Sequence, residues 1–536
     1  MPNTLKSYFI AALFIVYLPI AASAQTATEL KELDNIFQNF NSGSRAPGGV
    51  ITVGKNGNVF FNKAAGSADL EHEIANTPET RFEAGSVSKQ FTSTAVLLLI
   101  ESNKVGLEDE VRKYIPELPD YGKPLLVKHL LLHTSGLKDW GSIYAITGWP
   151  RGTKAYTQDD ARAMIFKQKT LNFLPGEAYS YSNSNFTLLA TLVEKVSGMS
   201  FNEFTKQNIF IPIGMNDTQW RDNFRAIVKN RAIGYQASGK DYLQDMPFEN
   251  THGHGGLITT TTDMQKWLNY WNENKFGKKL TELRNTQGIL NNGQQIEYAL
   301  GGVFVKKFNG LTEISHSGLT AGYRGWMAWY PEKGITVTCL SNGATLPSSQ
   351  IKDVFLGKEA SKTGKRGSAL PQNLIDQLPG LYKSVRGYST LEIVKKENRI
   401  FMKTGAEVLA LNGDTLTTGS RKIYPERDAR KFLSIIGTDT LSFVKIERKD
   451  LNAAELNKYI GNYYSRECDT KIEGVLKGQQ LFALRNAEPP IKLQPVYNGV
   501  FNMAGILLDF NSPTNNSGFS ANVDRAQQVI FDKTKP

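Results

Sequence analysis

The sequence predicts a mixed α and β domain, one sheet packed by helices, followed by an all-β region. Three observations carry this reading. Strand-like runs at Gly49–Val53 and Val59–Asn62 return late at Gly301–Phe308, Thr312–His316, Gly325–Tyr330 and Gly334–Ser341, so one sheet is built from both ends of the domain. Between them, Lys89–Ser102, Ala161–Lys167 and Asn183–Ser197 read as helices. Beyond Pro371 the texture changes to short alternating segments punctuated by Gly and Asn, the mark of an all-β region.

The elements follow in order. Lys6, the apolar run Tyr8 to Ile20 and Ala22-Ser23-Ala24 read as an export signal cut after Ala24, which places the mature chain in a periplasm or outside the cell. The run is short for a membrane anchor, and no later segment approaches the ~18 apolar residues a span needs, so no stable membrane span is expected. Residues 25–356 form the mixed domain, entered by a helix over 27–40. Residues 357–371, rich in Lys, Gly and Ser, read as a linker. Within 372–536, Leu378-Pro379-Gly380-Leu381-Tyr382 and Tyr459-Ile460-Gly461-Asn462-Tyr463 open two similar units. The region is either one barrel of two halves or two small barrels, near 372–450 and 451–536.

Composition narrows the function. At 536 residues, with 40% hydrophobic residues, 7 Trp, 21 Tyr and 28 Phe, the chain has material for several cores. The net charge is +11, and residues 361–450 hold 17 Lys and Arg against 10 Asp and Glu. Without aromatic residues interleaved in a basic motif, this reads as a solvated basic face and not as a nucleic-acid surface. Cys339 and Cys468 read as isolated buried thiols. His252 and His254 have no third ligand at matching spacing, so neither metal nor cofactor is expected.

The chemistry centres on Ser86-Val87-Ser88-Lys89. A serine three residues before a lysine puts hydroxyl and amine on one helical face, where the amine can help activate the hydroxyl for acyl transfer. The pattern also begins at Ser135, Ser349 and Ser442, but only Ser86 opens a helix with apolar positions on more than one face. Tyr181-Ser182-Asn183 follows Pro175-Gly176 and enters the helix Asn183–Ser197. A Tyr there can move the nucleophile's proton, and an Asn two residues on can bind a substrate carbonyl. His316-Ser317-Gly318, at the end of the strand Thr312–His316, is the third element, favoured over the rival His254-Gly255-Gly256 by its strand context. His129 and His133 read as structural. Trp140, Tyr144 and Trp149 read as a loop over the cleft that shapes substrate choice.

At these residues the chain resembles the serine β-lactamase and penicillin-binding-protein superfamily, in its class C-like branch of esterases, D-amino-acid peptidases and carboxypeptidases. Supporting matches run from Phe82 to Asn342, including His129-Leu130-Leu131-Leu132-His133-Thr134-Ser135-Gly136-Leu137 and Gly255-Gly256-Leu257 before Asp263-Met264. The resemblance implies an α+β serine β-lactamase-like domain with an antiparallel sheet, and a C-terminal lipocalin-like β region. It implies Ser86 as acylated nucleophile, Lys89 as its activator and Tyr181 as general base and acid. Asn183, His316 and Gly318 would bind substrate, and the N–H groups of Ser86 and Leu319 would form the oxyanion hole. Where this chain has His316, the β-lactamases carry Lys, a fixed cation that a neutral His does not replace. The expectation is an exported, metal-free serine hydrolase of a small ester or amide, including D-amino-acid peptides. The alternatives are a β-lactamase or D-alanyl-D-alanine carboxypeptidase, or a non-catalytic binding or sensory protein. The expected partner is a small-molecule or short-peptide substrate, with oligomers forming through the C-terminal β region.

Overall fold

The computed structural model describes residues 27–535, apart from 41–42, 44, 151, 358–369, 386–388, 413–414, 419–420, 427, 437–438, 449–450, 487, 513–516 and 524. The expected export signal and most of the expected linker lie outside the described residues. No described helix is long and apolar enough to cross a membrane.

The first domain is an eight-stranded antiparallel sheet sandwiched by helices. After helix α1 (27–40) come β1 (Gly49–Lys55) and β2 (Asn58–Ala65); the other strands are β3 (Gln287–Ile289), β4 (Gln295–Ala299), β5 (Val303–Phe308), β6 (Leu311–Thr320), β7 (Tyr323–Tyr330) and β8 (Ile335–Ser341). Their order is β3-β4-β5-β6-β7-β8-β1-β2, so the N-terminal hairpin closes onto the last strand in the register Gly49↔Ser341 to Lys55↔Ile335. β1 is buried nearly throughout, because each face of the sheet is covered. On one face Ile51, Val53, Val337 and Cys339 pack with α1 and the later helix Ser348–Leu356. On the other lie helices α2 (Lys89–Glu101), α3 (Asn183–Ser197) and α4 (Thr261–Asn272).

α2 is the central helix. Ten of its residues, from Lys89 to Leu97 and Leu99, are buried, as apolar positions on several faces require. Phe91 stacks on Trp267 of α4 with ring centres 4.1 Å apart. α3 ends at Gly198, whose φ of +71° is the left-handed cap that glycine accepts most readily.

The C-terminal region folds as two antiparallel sheets, one of eight strands and one of nine. In the first, Val408 donates to Ile400 O across the outer strands, nearly closing the sheet on its own apolar interior. Leu381, Val496, Val500 and Leu507 pack between the two sheets. The nine-stranded sheet ends in the hairpin β9 (Phe519–Val523) and β10 (Ala526–Lys533). Its interior joins the apolar cluster of the helical block. Cys339 and Cys468 are both buried free thiols.

Two local expectations need correction. His316 is not at a strand end but within β6, which continues to Thr320 because Gly318 pairs with Gly325 of β7 and lets the ladder run on. The stretch after Leu137 is not a loop over the cleft. Asp139 caps a helix, Trp140–Ile146, whose Trp140, Ile143 and Ile146 turn inward. Arg485 of the nine-stranded sheet donates to Ala145 O at 2.8 Å and Ile146 O at 2.7 Å.

Candidate active site

Ser86 sits in a short 3-10 turn, Gly85–Ser88, that runs directly into α2. The turn is pinned from both sides. Before it, Glu83 holds Arg221 in a fully buried pair, with Nε 2.6 Å and Nη2 3.2 Å from the carboxylate oxygens. Behind it, Ser88 Oγ donates to Gly85 O and accepts from Leu257 N–H. β6 then lies directly on the turn. Gly85, with φ +53°, has no room for a side chain, since a methyl group there would lie 2.5 Å from Leu319 N. A methyl group on Gly318 would lie 2.0 Å from Ala84 O and 3.0 Å from Ser86 N. This glycine contact brings the backbone N–H groups of Ser86 and Leu319 to the same wall of the cleft.

Lys89 is fully buried. Its Nζ donates to Ser86 Oγ at 3.1 Å, to Asn183 Oδ1 at 2.9 Å and to His254 O at 2.6 Å. Three acceptors match the three donors of an ammonium group. The same Nζ is 4.7 Å from the centre of the Tyr181 ring, a distance at which cation and ring attract. Ser86, Lys89, Tyr181 and Asn183 thus meet at one point, from two helices and the turns that enter them.

Asn183 is placed by its backbone: its N–H donates to Asp139 Oδ2 at 2.6 Å. Ser184 Oγ donates to Lys138 O and accepts from Trp140 N–H. The segment 138–140 therefore fixes the start of α3. His133, read as structural, lies against the ring of Tyr181 with centres 4.2 Å apart. Its Nδ1 accepts from Ser182 N–H at 3.2 Å, so the neutral ring carries its proton on Nε2. Burial, then the positive charge of Lys89, holds its pKa well below the usual histidine value. The clue available in sequence was its place in the His129 to Leu137 run.

His316 forms the opposite wall. Its Nδ1 meets Ser317 O at 2.6 Å and its Nε2 meets Tyr298 OH at 3.4 Å. Burial, then Lys89, lowers its pKa to about 3, so the ring is neutral near pH 7. A cavity of about 800 Å³ opens between Ser86, Tyr181, Asn183, His316, Leu319 and Arg525. Neither Trp140, Tyr144 nor Trp149 lines it.

Arg525, on the turn of the β9–β10 hairpin, was invisible to sequence reasoning. Its carbonyl accepts from Asp139 N–H at 2.9 Å and from Asn172 Nδ2 at 3.1 Å, and Asn172 Oδ1 accepts from Gln527 N–H at 2.9 Å. Its guanidinium carbon is 5.0 Å from the centre of the Tyr181 ring. Lys138, one of the other Ser-x-x-Lys lysines, is used in this docking: its buried Nζ meets Glu467 at 3.1 Å and Gln528 O at 3.2 Å.

The fold and this cluster define a serine hydrolase in which serine and lysine share the first turn of a buried helix. The family model described as Beta-lactamase matches residues 33–361, and the chain belongs to that family. It is similar to penicillin-binding protein 4* of Bacillus subtilis, at 29% identity over 327 residues, covering 58% of this chain and 71% of the relative. A D-aminopeptidase of Brucella anthropi is 25% identical over 503 residues, 87% of this chain and 91% of its own length. The octameric penicillin-binding protein homologue from Pyrococcus abyssi shares the fold, with a TM-score of 0.54 at 23% identity over 87% of this chain and 98% of that one.

Proposed function

We propose that this chain is an exported serine hydrolase that forms an acyl-enzyme on Ser86 and hydrolyses small amides or esters, D-amino-acid peptides among them. The observation that carries the reading is the buried Lys89 ammonium within 3.1 Å of Ser86 Oγ, held in place by Asn183 and the His254 carbonyl. Ser86 Oγ attacks the substrate carbonyl carbon as its proton passes to the phenolate oxygen of Tyr181, which becomes the neutral phenol, with the Lys89 amine beside both side chains. The N–H groups of Ser86 and Leu319 take the charge that develops on the carbonyl oxygen. The bond to the leaving nitrogen or oxygen breaks, and Tyr181 returns the proton to that atom. Water then attacks the acyl-enzyme, giving its proton to Tyr181 and its oxygen to the released acid, and Ser86 regains a proton. Asn183 binds the substrate amide and neutral His316 closes the far wall. Support for amides comes from the likeness to a D-aminopeptidase along most of both chains. The neutrality of His316 argues against an efficient β-lactamase, because no fixed cation stands at that position.

The test is twofold. A fluorophosphonate should label the full-length protein and fail to label Ser86→Ala; equal labelling of both would remove Ser86 from the role. In a parallel survey, D-alanyl amides and p-nitrophenyl esters should turn over faster than nitrocefin. Nitrocefin leading by orders of magnitude would overturn the substrate reading.

A further inference from the structure

We propose that the C-terminal region carries a ligand site of its own, where its two sheets meet, and that this site binds a small amphiphilic carboxylate with its head on Arg421 and its apolar chain between the sheets. The site stands apart from the chemistry given to Ser86.

A cavity of about 880 Å³ opens between the eight- and nine-stranded C-terminal sheets, a size usual for a small-molecule site. The interior of the eight-stranded sheet is filled by its own apolar side chains, and three of these, Leu391, Met402 and Phe443, also reach the cavity wall. Leu381 and Val496, from the apolar contact between the two sheets, line it as well. An apolar chain laid there would take water away from both clusters at once.

The charge of the wall is one-sided. Four lining side chains are cationic, Lys403, Arg421, Arg448 and Lys492, against the carboxylate of Glu392. Lys403 and Arg448 share that carboxylate, at 2.8 Å and 2.9 Å. Three of the four cations belong to the basic stretch 361–450, so part of its positive excess is gathered at this cavity and not spread over a solvated face. Such a concentration of one sign raises the local concentration of anions.

Arg421 is placed to select the head group. Side chains alternate along a strand, and Arg421 lies two residues from Ile423 of the interior cluster, so it shares the inward face. Ser434 shares it too, two residues from Phe432. Half-buried there, Arg421 donates through Nη1 to Ser434 Oγ at 2.6 Å, and no described carboxylate pairs with it. Burial lowers its pKa below the usual arginine value, with no anion offsetting the lost water. A cation drawn toward apolar side chains without a counter-charge is costly. A carboxylate relieves that cost by accepting two parallel hydrogen bonds from the planar guanidinium. A head without a chain would leave the apolar wall wet, and a chain without a head would leave the guanidinium unmatched. An amphiphilic carboxylate meets both demands.

The experiment titrates the full chain calorimetrically with octanoate, 1-octanol and acetate. Octanoate should bind about tenfold or more tightly than octanol, the size expected of one charge-assisted pair, and at least about 100-fold more tightly than acetate, which lacks the chain. Arg421→Gln should bring the ratio of octanoate to octanol close to one, and Arg421→Lys should keep part of it. Leu441 stands opposite Ser434 in the ladder and is 39% exposed, so Leu441→Glu sets a carboxylate beside Arg421 and should abolish octanoate binding. Circular dichroism and thermal unfolding on every variant guard against misfolding. Equal binding of octanoate and octanol by the wild-type protein, or no octanoate binding at all, would overturn the inference. So would a folded Arg421→Gln or Leu441→Glu that binds octanoate as the wild type does, which would move the ligand to another cavity. Binding to vesicles of anionic phospholipid without binding to soluble octanoate would make the basic wall a surface patch, and would overturn it too.

Discussion

Adding one methyl group at Gly318 should disable the site while sparing most of the fold. In Gly318→Ala the new Cβ would lie 2.0 Å from Ala84 O and 3.0 Å from Ser86 N, and both neighbours are backbone that cannot swing aside. Relief to ordinary contact, 3.4 Å or more, requires β6 and the Gly85–Ser88 turn to part by about 1.4 Å, which carries Leu319 N–H away from the proposed oxyanion position. Loss of one such donor lowers kcat by about 100- to 1000-fold, and a misplacement of this size alone costs ~100-fold. The strain in the packed wall should lower stability by about 1–3 kcal/mol. The assay is kcat on a p-nitrophenyl ester, alongside urea unfolding. Expected is a fall in kcat of at least about 100-fold with KM little changed. If kcat stays within about threefold of wild type, the pairing of Ser86 and Leu319 N–H groups is not an oxyanion site.

Three further outcomes follow from the same geometry. Lys89→Met keeps the side-chain volume but removes the ammonium, and kcat on an ester should fall by about 1000-fold with the fold retained by circular dichroism. His316 has a folded pKa of about 3 against an ordinary value near 6.5, so the unfolded chain binds more protons between those pH values. Stability should therefore fall as pH drops below about 6.5, and His316→Asn should reduce proton uptake on unfolding at pH 5 by about one; an unchanged uptake would contradict the burial. Arg485→Ala removes two charge-assisted bonds to the end of the helix Trp140–Ile146 and should cost about 1.5–3 kcal/mol. Hydrogen exchange should quicken over residues 140–149, and unchanged protection there would show that the docking does not hold that helix.

Much of the catalytic domain was legible because it obeys local rules. Ser86 and Lys89 share a helical face by spacing alone, and Tyr181 to Asn183 stands where a turn after Pro175-Gly176 enters a helix. The extent of β6 was not legible, because Gly318 looks like a strand terminator until its partner Gly325 is known. His133 reads as structural in the sequence, but its packing against the Tyr181 ring is a contact that no spacing encodes. Arg525 was out of reach for a stronger reason. It meets Asn172 from 353 residues away, and only the docking of the nine-stranded sheet creates that meeting. The same docking explains why Lys138, identical in local pattern to Lys89, ends in an ion pair with Glu467.

The lateness of that hairpin in the chain has a consequence for biogenesis. During synthesis the serine, lysine and tyrosine are all made long before residue 525, yet the wall that the hairpin supplies is missing until the nine-stranded sheet has folded and docked. A ribosome-bound or proteolytically clipped chain would hold Ser86 in a cleft that lacks the side lined by Arg525. The finished protein completes that wall last, so loss of the final hairpin should open the cleft beside Ser86 and free the anchor that Asp139 and Asn172 share with it.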